Sequence, residues 1–238
     1  MTARIERVVT SGVVEIDGAE FKVENNTWIV GDDDEVIVID PARDGEKILE
    51  KVGEREVLAV ICTHGLPDHV GAAIEVAIRD EAAVCLHPKD KKLWRETWRE
   101  TWPDIDVEDE GVFEVADVRL EVLETPGITQ GGISLYCEEL EVVFTGKSLQ
   151  ADGPGRLGGE YPALPDQLTA IGGRLFTLPG NTRVLPAHGE ETTIGDLEPN
   201  FDDWVSGSLT RTADTPGEDV PVVDGTRAAG IKLKLDDE

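Results

Sequence analysis

The stretch "VLAVICTHGLPDHVGA", Val57 to Ala72, decides how the chain is read. An apolar run of buried-strand type, "VLAVICT", ends in Thr63-His64. After Gly65, Leu66 and Pro67, the pair Asp68-His69 opens a helical pattern, "DHVGAAIEVAIRD". Imidazole nitrogen and carboxylate oxygen are donors that a divalent metal takes at about 2.0–2.2 Å. Two histidines and an aspartate at a strand-to-helix junction therefore point to a metal. Leu66, however, stands where a third coordinating side chain would serve best.

Working outward, alternation and short apolar runs predict strands in "GVVEIDG", "FKVENNTWIVG" and "EVIVID". "ARDGEKILEKVG" has helical spacing at Ile48, Leu49 and Val52, and Gly53 can end it. "AAVCLHP" returns to strand, so strands and helices alternate as in an α/β layer. "KDKKLWRETWRETWPD" places Trp94, Trp98 and Trp102 four residues apart, a stripe on one face of a helix. Further strands follow in "GVFEVADVRLEVLETPG", "GISLYCEE" and "EVVFTG", the last leading into Lys147. A Gly/Pro-rich loop covers about 151–165, before a helix in "PDQLTAIGGRLFTLPG" and a strand in "TRVLPAHG" that ends at His188. Residues 1–209 are expected to form one layered domain. Residues 210–238 are expected to add a short C-terminal hairpin.

Fifty Asp and Glu residues against 22 Lys and Arg give a formal net charge of −28. Such a surface repels phosphate backbones and anionic lipid, which argues against nucleic acid or membrane as a partner. No run of 18 apolar residues is present, and the N-terminal stretch lacks a signal-peptide core. Three cysteines, Cys62, Cys85 and Cys137, sit in apolar runs without CxxC spacing, as expected of reduced thiols in a cytoplasmic protein.

The ordered motifs resemble the metallo-β-lactamase fold superfamily, in particular its glyoxalase II and thioesterase-like hydrolases. The resemblance covers roughly residues 20 to 205. "NNTWIVGDDDEVIVIDPA" resembles the opening strands and the turn at Asp40, and "THGLPDH" the THxHxDH metal motif. "TPGITQGGISLY", "VFTGKSL" and "LPAHGEETTIG" resemble the TPGHTxGS, FTGDxL and final GHG segments. This implies a four-layer αββα sandwich with the active site along one edge of its two sheets. Carried over by position, His64, Asp68, His69 and His188 match the family's ligands. Leu66 and Ile128 stand in place of histidines, and Lys147 in place of the bridging aspartate.

One imidazole, His64, cannot hold an ion by itself, and an ammonium at Lys147 repels a cation nearby. The expectation is a metal-independent enzyme in which Lys147 supplies the lost charge, pairing with Asp68 and bonding to His64, His69 or His188. Its substrate would be a carbonyl-bearing small molecule, and its reaction of lyase, isomerase, cyclase or ester/thioester hydrolase type. Two alternatives stand beside it: a catalytically dead protein with a binding or regulatory role, and a hydrolase holding a single zinc or iron ion through Asp68, His69 and His188. Trp94, Trp98 and Tyr161 are the candidate substrate contacts, the tryptophan stripe being equally suited to core packing or a homodimer.

Overall fold

The computed structural model describes residues 2–16, 19–156, 162–207 and 232–233. The expected substrate contact Tyr161 and nearly all of the expected C-terminal hairpin lie outside the described residues.

Two mixed sheets stack face to face. The first contains β1 (Arg4–Ile16), β2 (Ala19–Gly31), β3 (Glu35–Ile39), β4 (Glu56–Ile61), β5 (Ala83–Leu86) and β6 (Ile105–Asp106), in that order. The second runs β14-β13-β10-β9-β8-β7, built from β7 (Val112–Val115), β8 (Val118–Glu124), β9 (Ile133–Cys137), β10 (Val142–Gly146), β13 (Arg183–Pro186) and β14 (Thr192–Thr193). A small ribbon pairs β11 (Leu149–Gln150) with β12 (Gly153–Pro154), and β15 (Lys232–Leu233) pairs antiparallel with β1.

Strand alternation explains the layers, because successive side chains point to opposite faces. Along β3, Ile37 and Ile39 enter the core between the sheets, where they join Trp28, Leu120, Ile133, Phe144 and Leu185. Val36 and Val38 face the other way, against Ile48, Val52, Val76 and Trp94. These come from α1 (Gly45–Val52), α3 (Ala73–Ile78) and α4 (Lys91–Thr97), with α2 (Pro67–Val70) preceding α3. Val143 and Val184 turn outward to Leu168, Ile194 and Trp204. Those three belong to α5 (Leu164–Ala170), α6 (Ile194–Leu197) and α7 (Phe201–Val205). The result is the expected αββα sandwich. Among the described residues no helix is long and apolar enough to cross a membrane.

Two local expectations need correction. The helix expected to run on from Asp68 starts one residue earlier, at Pro67, and is broken between α2 and α3. Proline suits a first helical position because its missing N–H has no acceptor there. At the break, the Ala72 amide leaves the helix to donate to Pro41 O at 2.9 Å. A side chain at Gly71 would lie 2.4 Å from Ala42 O, so glycine permits that close approach.

The tryptophan stripe is also incomplete. Helix α4 ends at Thr97, Trp94 is fully buried in the core, and Trp102 is 49% exposed under the Arg95 guanidinium. Trp94 therefore packs the core and does not wall a cleft. The half-buried Trp98 donates from Nε1 to Val70 O, 2.8 Å away, and so tethers the end of α2.

Candidate metal centre

Three connections leaving the strands converge at one edge of the sandwich. The loop after β4 brings His64, α2 brings Asp68 and His69, the turn after β10 brings Lys147, and the turn after β13 brings His188. Gly146 makes the approach of the turn after β10 possible: it has φ 54°, and a Cβ there would lie 2.2 Å from Thr63 Oγ1. Asp90 ties the His64 loop to the turn before β9, accepting from Gly65 N at 2.9 Å and Gly131 N at 2.8 Å.

Asp40, at the end of β3, orients the histidines. Its backbone is left-handed (φ 51°), and its carboxylate accepts from Thr63 N and Thr63 Oγ1, each at 2.7 Å, and from His69 Nδ1 at 3.0 Å. Burial pushes the Asp40 pKa up to about 6, with His64 and the Thr63 hydrogen bonds pulling the other way. Because the Thr63 hydroxyl is spent on Asp40, His64 Nδ1–H donates to Thr63 Oγ1 at 2.9 Å. His64 Nε2 is then a bare acceptor, buried and without a hydrogen-bond partner. Burial holds the pKa of both His64 and His69 well below the ordinary imidazole value, so both rings are neutral.

His188 is fixed in the same sense as His69. Its Nδ1–H donates to Glu24 O at 2.9 Å, since a carbonyl can only accept. Both His69 and His188 therefore present bare Nε2 lone pairs, and these stand 3.2 Å apart. Only a proton or a metal ion can sit between two such lone pairs. Asp68 Oδ2 completes the triangle, 3.7 Å from His69 Nε2 and 3.6 Å from His188 Nε2. Donors bound at about 2.0–2.1 Å in a tetrahedral arrangement lie about 3.3 Å from one another. The triangle is thus slightly wider than a filled zinc or iron site and needs only small side-chain adjustments. A carboxylate or carbonyl holding Nδ1 is also the usual outer support of a metal-bound histidine.

Asp40, His64 and His69 form a second cluster of potential ligand atoms. There the Asp40 oxygens are already committed to Thr63 and His69, so that cluster supports the first.

The expected pair between Lys147 and Asp68 is present, with Nζ 3.0 Å from Oδ2. Burial pushes the Asp68 pKa up, but Lys147 and His69 outweigh it and hold the carboxyl well below its usual range. Leu66 and Ile128 are buried, each less than a tenth exposed. Ser148 turns away from the centre, donating to Thr125 O at 3.1 Å. Three residues that matter here were not picked out as site residues in the sequence: Asp40 and Asp90, whose only signal is an acidic side chain beside a motif, and Glu24, which acts through its carbonyl.

The donor geometry overturns the expected loss of the metal centre. Lys147 pairs with Asp68, yet the three donors remain gathered and their tautomers set for a cation.

Comparison with known proteins agrees with the motifs. The chain is 32% identical over 189 residues to "Probable metallo-hydrolase YqgX" of Bacillus subtilis (strain 168), covering 72% of this chain and 88% of that protein. It is 29% identical over 190 residues to "Hydroxyacylglutathione hydrolase GloC" of Haemophilus influenzae, again covering 72% and 88%. The solved structure of TTHA1623 in a di-iron-bound form superposes with a TM-score of 0.60 at 28% identity, over 73% of this chain and 91% of that one. Residues 22–188 match the family described as the metallo-beta-lactamase superfamily, and with the αββα sandwich and the gathered His/Asp donors, the chain belongs to that superfamily.

Proposed function

We propose that this protein is a metal-dependent hydrolase of small esters or thioesters, holding one zinc or iron ion through Asp68, His69 and His188. The observation that carries this reading is the pair of bare Nε2 atoms of His69 and His188, 3.2 Å apart with Asp68 Oδ2 as third donor. Similarity to a metallo-hydrolase and to a hydroxyacylglutathione hydrolase supports hydrolysis and the substrate class. The metal-independent lyase or isomerase reading has no such support and is replaced.

The first metal position of the family motif is incomplete in this reading. Of its donors only His64 remains, since Leu66 and Ile128 are apolar and buried. An ion held at the remaining position supplies a polarised substrate carbonyl and hydroxide at neutral pH.

The chain's own groups do the rest. Asp40 and the Glu24 carbonyl hold Nδ1 of His69 and His188, so that both Nε2 atoms are turned toward the cation position. Lys147, held by Asp68 and with ammonium hydrogens to spare, donates to the oxygen that gains charge as the acyl carbon becomes tetrahedral.

The test is elemental analysis of protein purified without chelator, together with turnover of an activated thioester. About one equivalent of zinc or iron is expected, with hydrolysis lost on chelation and restored by metal. Absence of bound metal, or turnover indifferent to chelation, overturns the proposal.

A further inference from the structure

Asp68 and His188 face one another across the cation position, yet they come from different sheets. Asp68 is carried on α2, which follows β4 of the first sheet, and His188 on the turn after β13 of the second. The core between the sheets is apolar packing. Such packing is not directional and does not by itself set the 3.6 Å between Asp68 Oδ2 and His188 Nε2.

Strand β2 reaches both. It pairs with β3 only over Trp28–Gly31, so its edge is open before Trp28. The His188 turn takes up that open edge: Asn26 N donates to Ala187 O at 2.7 Å, and Glu24 O accepts from His188 Nδ1. Side chains along a strand alternate between its faces. On one face Asn25 Nδ2 donates to Asp68 O at 2.7 Å, and Thr27 Oγ1 to Asp40 O at 2.8 Å. On the other, Asn26 Nδ2 donates to Pro186 O at 3.0 Å and Gly189 O at 2.9 Å, the residues on either side of Ala187-His188. Two adjacent asparagines therefore hold the backbones that carry two metal donors, from opposite faces of one strand.

Stability alone does not account for them. Both are buried, at 1% and 4% exposure, where β-branched or aromatic residues suit a strand better. Asn25 Oδ1 is buried without a hydrogen-bond partner among the described residues. Leaving such an oxygen unpaired costs at least as much as one hydrogen bond to Asp68 O returns.

We propose that Asn25 and Asn26 are positioning residues, which set the separation of Asp68 from His188 and with it the affinity of the site for its ion. The inference rests on the one-ion reading of the site, and its test separates the two.

The variants are Asn25→Leu and Asn26→Leu, which keep side-chain size and remove the amide. Asn26→Gln, which moves the same donors out by one methylene, takes the place of Asn26→Leu if that variant fails to fold. Zinc affinity, read by competition against a chromophoric chelator, should fall by about ten- to a hundredfold in each, as for other groups that support metal ligands. Asn25→Leu also removes the unpaired oxygen, so the metal-free variant should melt within about 4 °C of the parent. A residue that only stabilised the fold would give the reverse, a lower melting temperature with unchanged affinity. In metal-free protein, nitrogen NMR shifts of the neutral His188 ring should report a fixed Nδ1–H tautomer in the parent and a mixture in the Asn26 variant. Unchanged zinc affinity in the folded variants overturns the proposal. A parent that binds no zinc would instead overturn the one-ion reading. The His188 tautomer then decides this inference: a mixture in the Asn26 variant upholds it, and an unmoved tautomer overturns it as well.

Discussion

Lys147 Nζ lies 3.0 Å from Asp68 Oδ2, the same oxygen that faces His69 Nε2 at 3.7 Å and His188 Nε2 at 3.6 Å. One carboxylate oxygen therefore serves both an ammonium and a triangle of metal donors. A carboxylate oxygen has lone pairs for both, but the two cations repel each other by several kcal/mol even at an effective dielectric of about 20.

That tension gives Lys147→Met opposite effects on binding and turnover. Removing the ammonium should tighten zinc binding by about tenfold to a hundredfold, because Asp68 is then free for the ion. It should also lower kcat/KM for thioester hydrolysis by about a hundredfold, the usual cost of losing one oxyanion donor. Competition against a chromophoric chelator reads the first effect and steady-state kinetics the second. Weaker zinc binding in Lys147→Met would mean that the lysine assists the ion and does not oppose it.

Asp40→Asn tests the support beneath His69. The change preserves shape but removes the charge that accepts from His69 Nδ1 at 3.0 Å and from Thr63 at 2.7 Å. Zinc affinity should fall by about ten- to a hundredfold, as for other outer-shell carboxylates of metal-bound histidines. Circular dichroism checks that the fold persists. Unchanged zinc affinity would leave Asp40 as a purely structural residue.

Far from the site, Glu6 should govern part of the acid sensitivity. Burial raises its pKa, but hydrogen bonds and charge from Lys51 and Arg55 prevail and lower it from the ordinary 4.5. Arg55 Nη1 lies 2.6 Å and Lys51 Nζ 2.9 Å from its carboxylate. With the folded pKa depressed, this stabilisation is complete above about pH 4.5 and is lost as pH falls through the lower folded value. Glu6→Gln should therefore melt at a lower temperature than the parent at pH 7. The gap should narrow as pH drops below 4.5. A gap independent of pH would assign the effect to packing instead.

The layers were legible because they rest on alternation: Val36 and Val38 face one way, Ile37 and Ile39 the other, and nothing distant reverses that. His64, Asp68, His69, Lys147 and His188 were legible because a motif fixes them in strand-end turns. What could not be read is tertiary. The metal-free expectation weighed the lost histidines and the charge of Lys147, while the acceptors that set the His69 and His188 tautomers, a carboxylate just past β3 and a backbone carbonyl on β2, lie far off in the sequence. Trp102 leaves the stripe because α4 ends at Thr97, and the WRET repeat carries no signal of that end.

The one-ion reading makes its sharpest claim about His64. Its Nε2 is buried and unpartnered, its ring centroid 3.8 Å from that of His69, and Leu66 and Ile128 stand where the family motif has histidines. If these positions keep the motif's geometry, Leu66→His with Ile128→His gives His64 the two partners it lacks. Lys147→Asp then replaces a repelling ammonium with a carboxylate between the two positions. The triple variant should bind about two zinc ions where the parent binds about one, because three imidazoles make a complete site. Lys147→Asp alone should stay at one, bound more tightly than in the parent. Stoichiometry from calorimetry separates these cases without any assay of turnover. A parent that already binds two ions would show that His64 finds other ligands, and a folded triple variant that still binds one would show that side chains at positions 66 and 128 do not face His64.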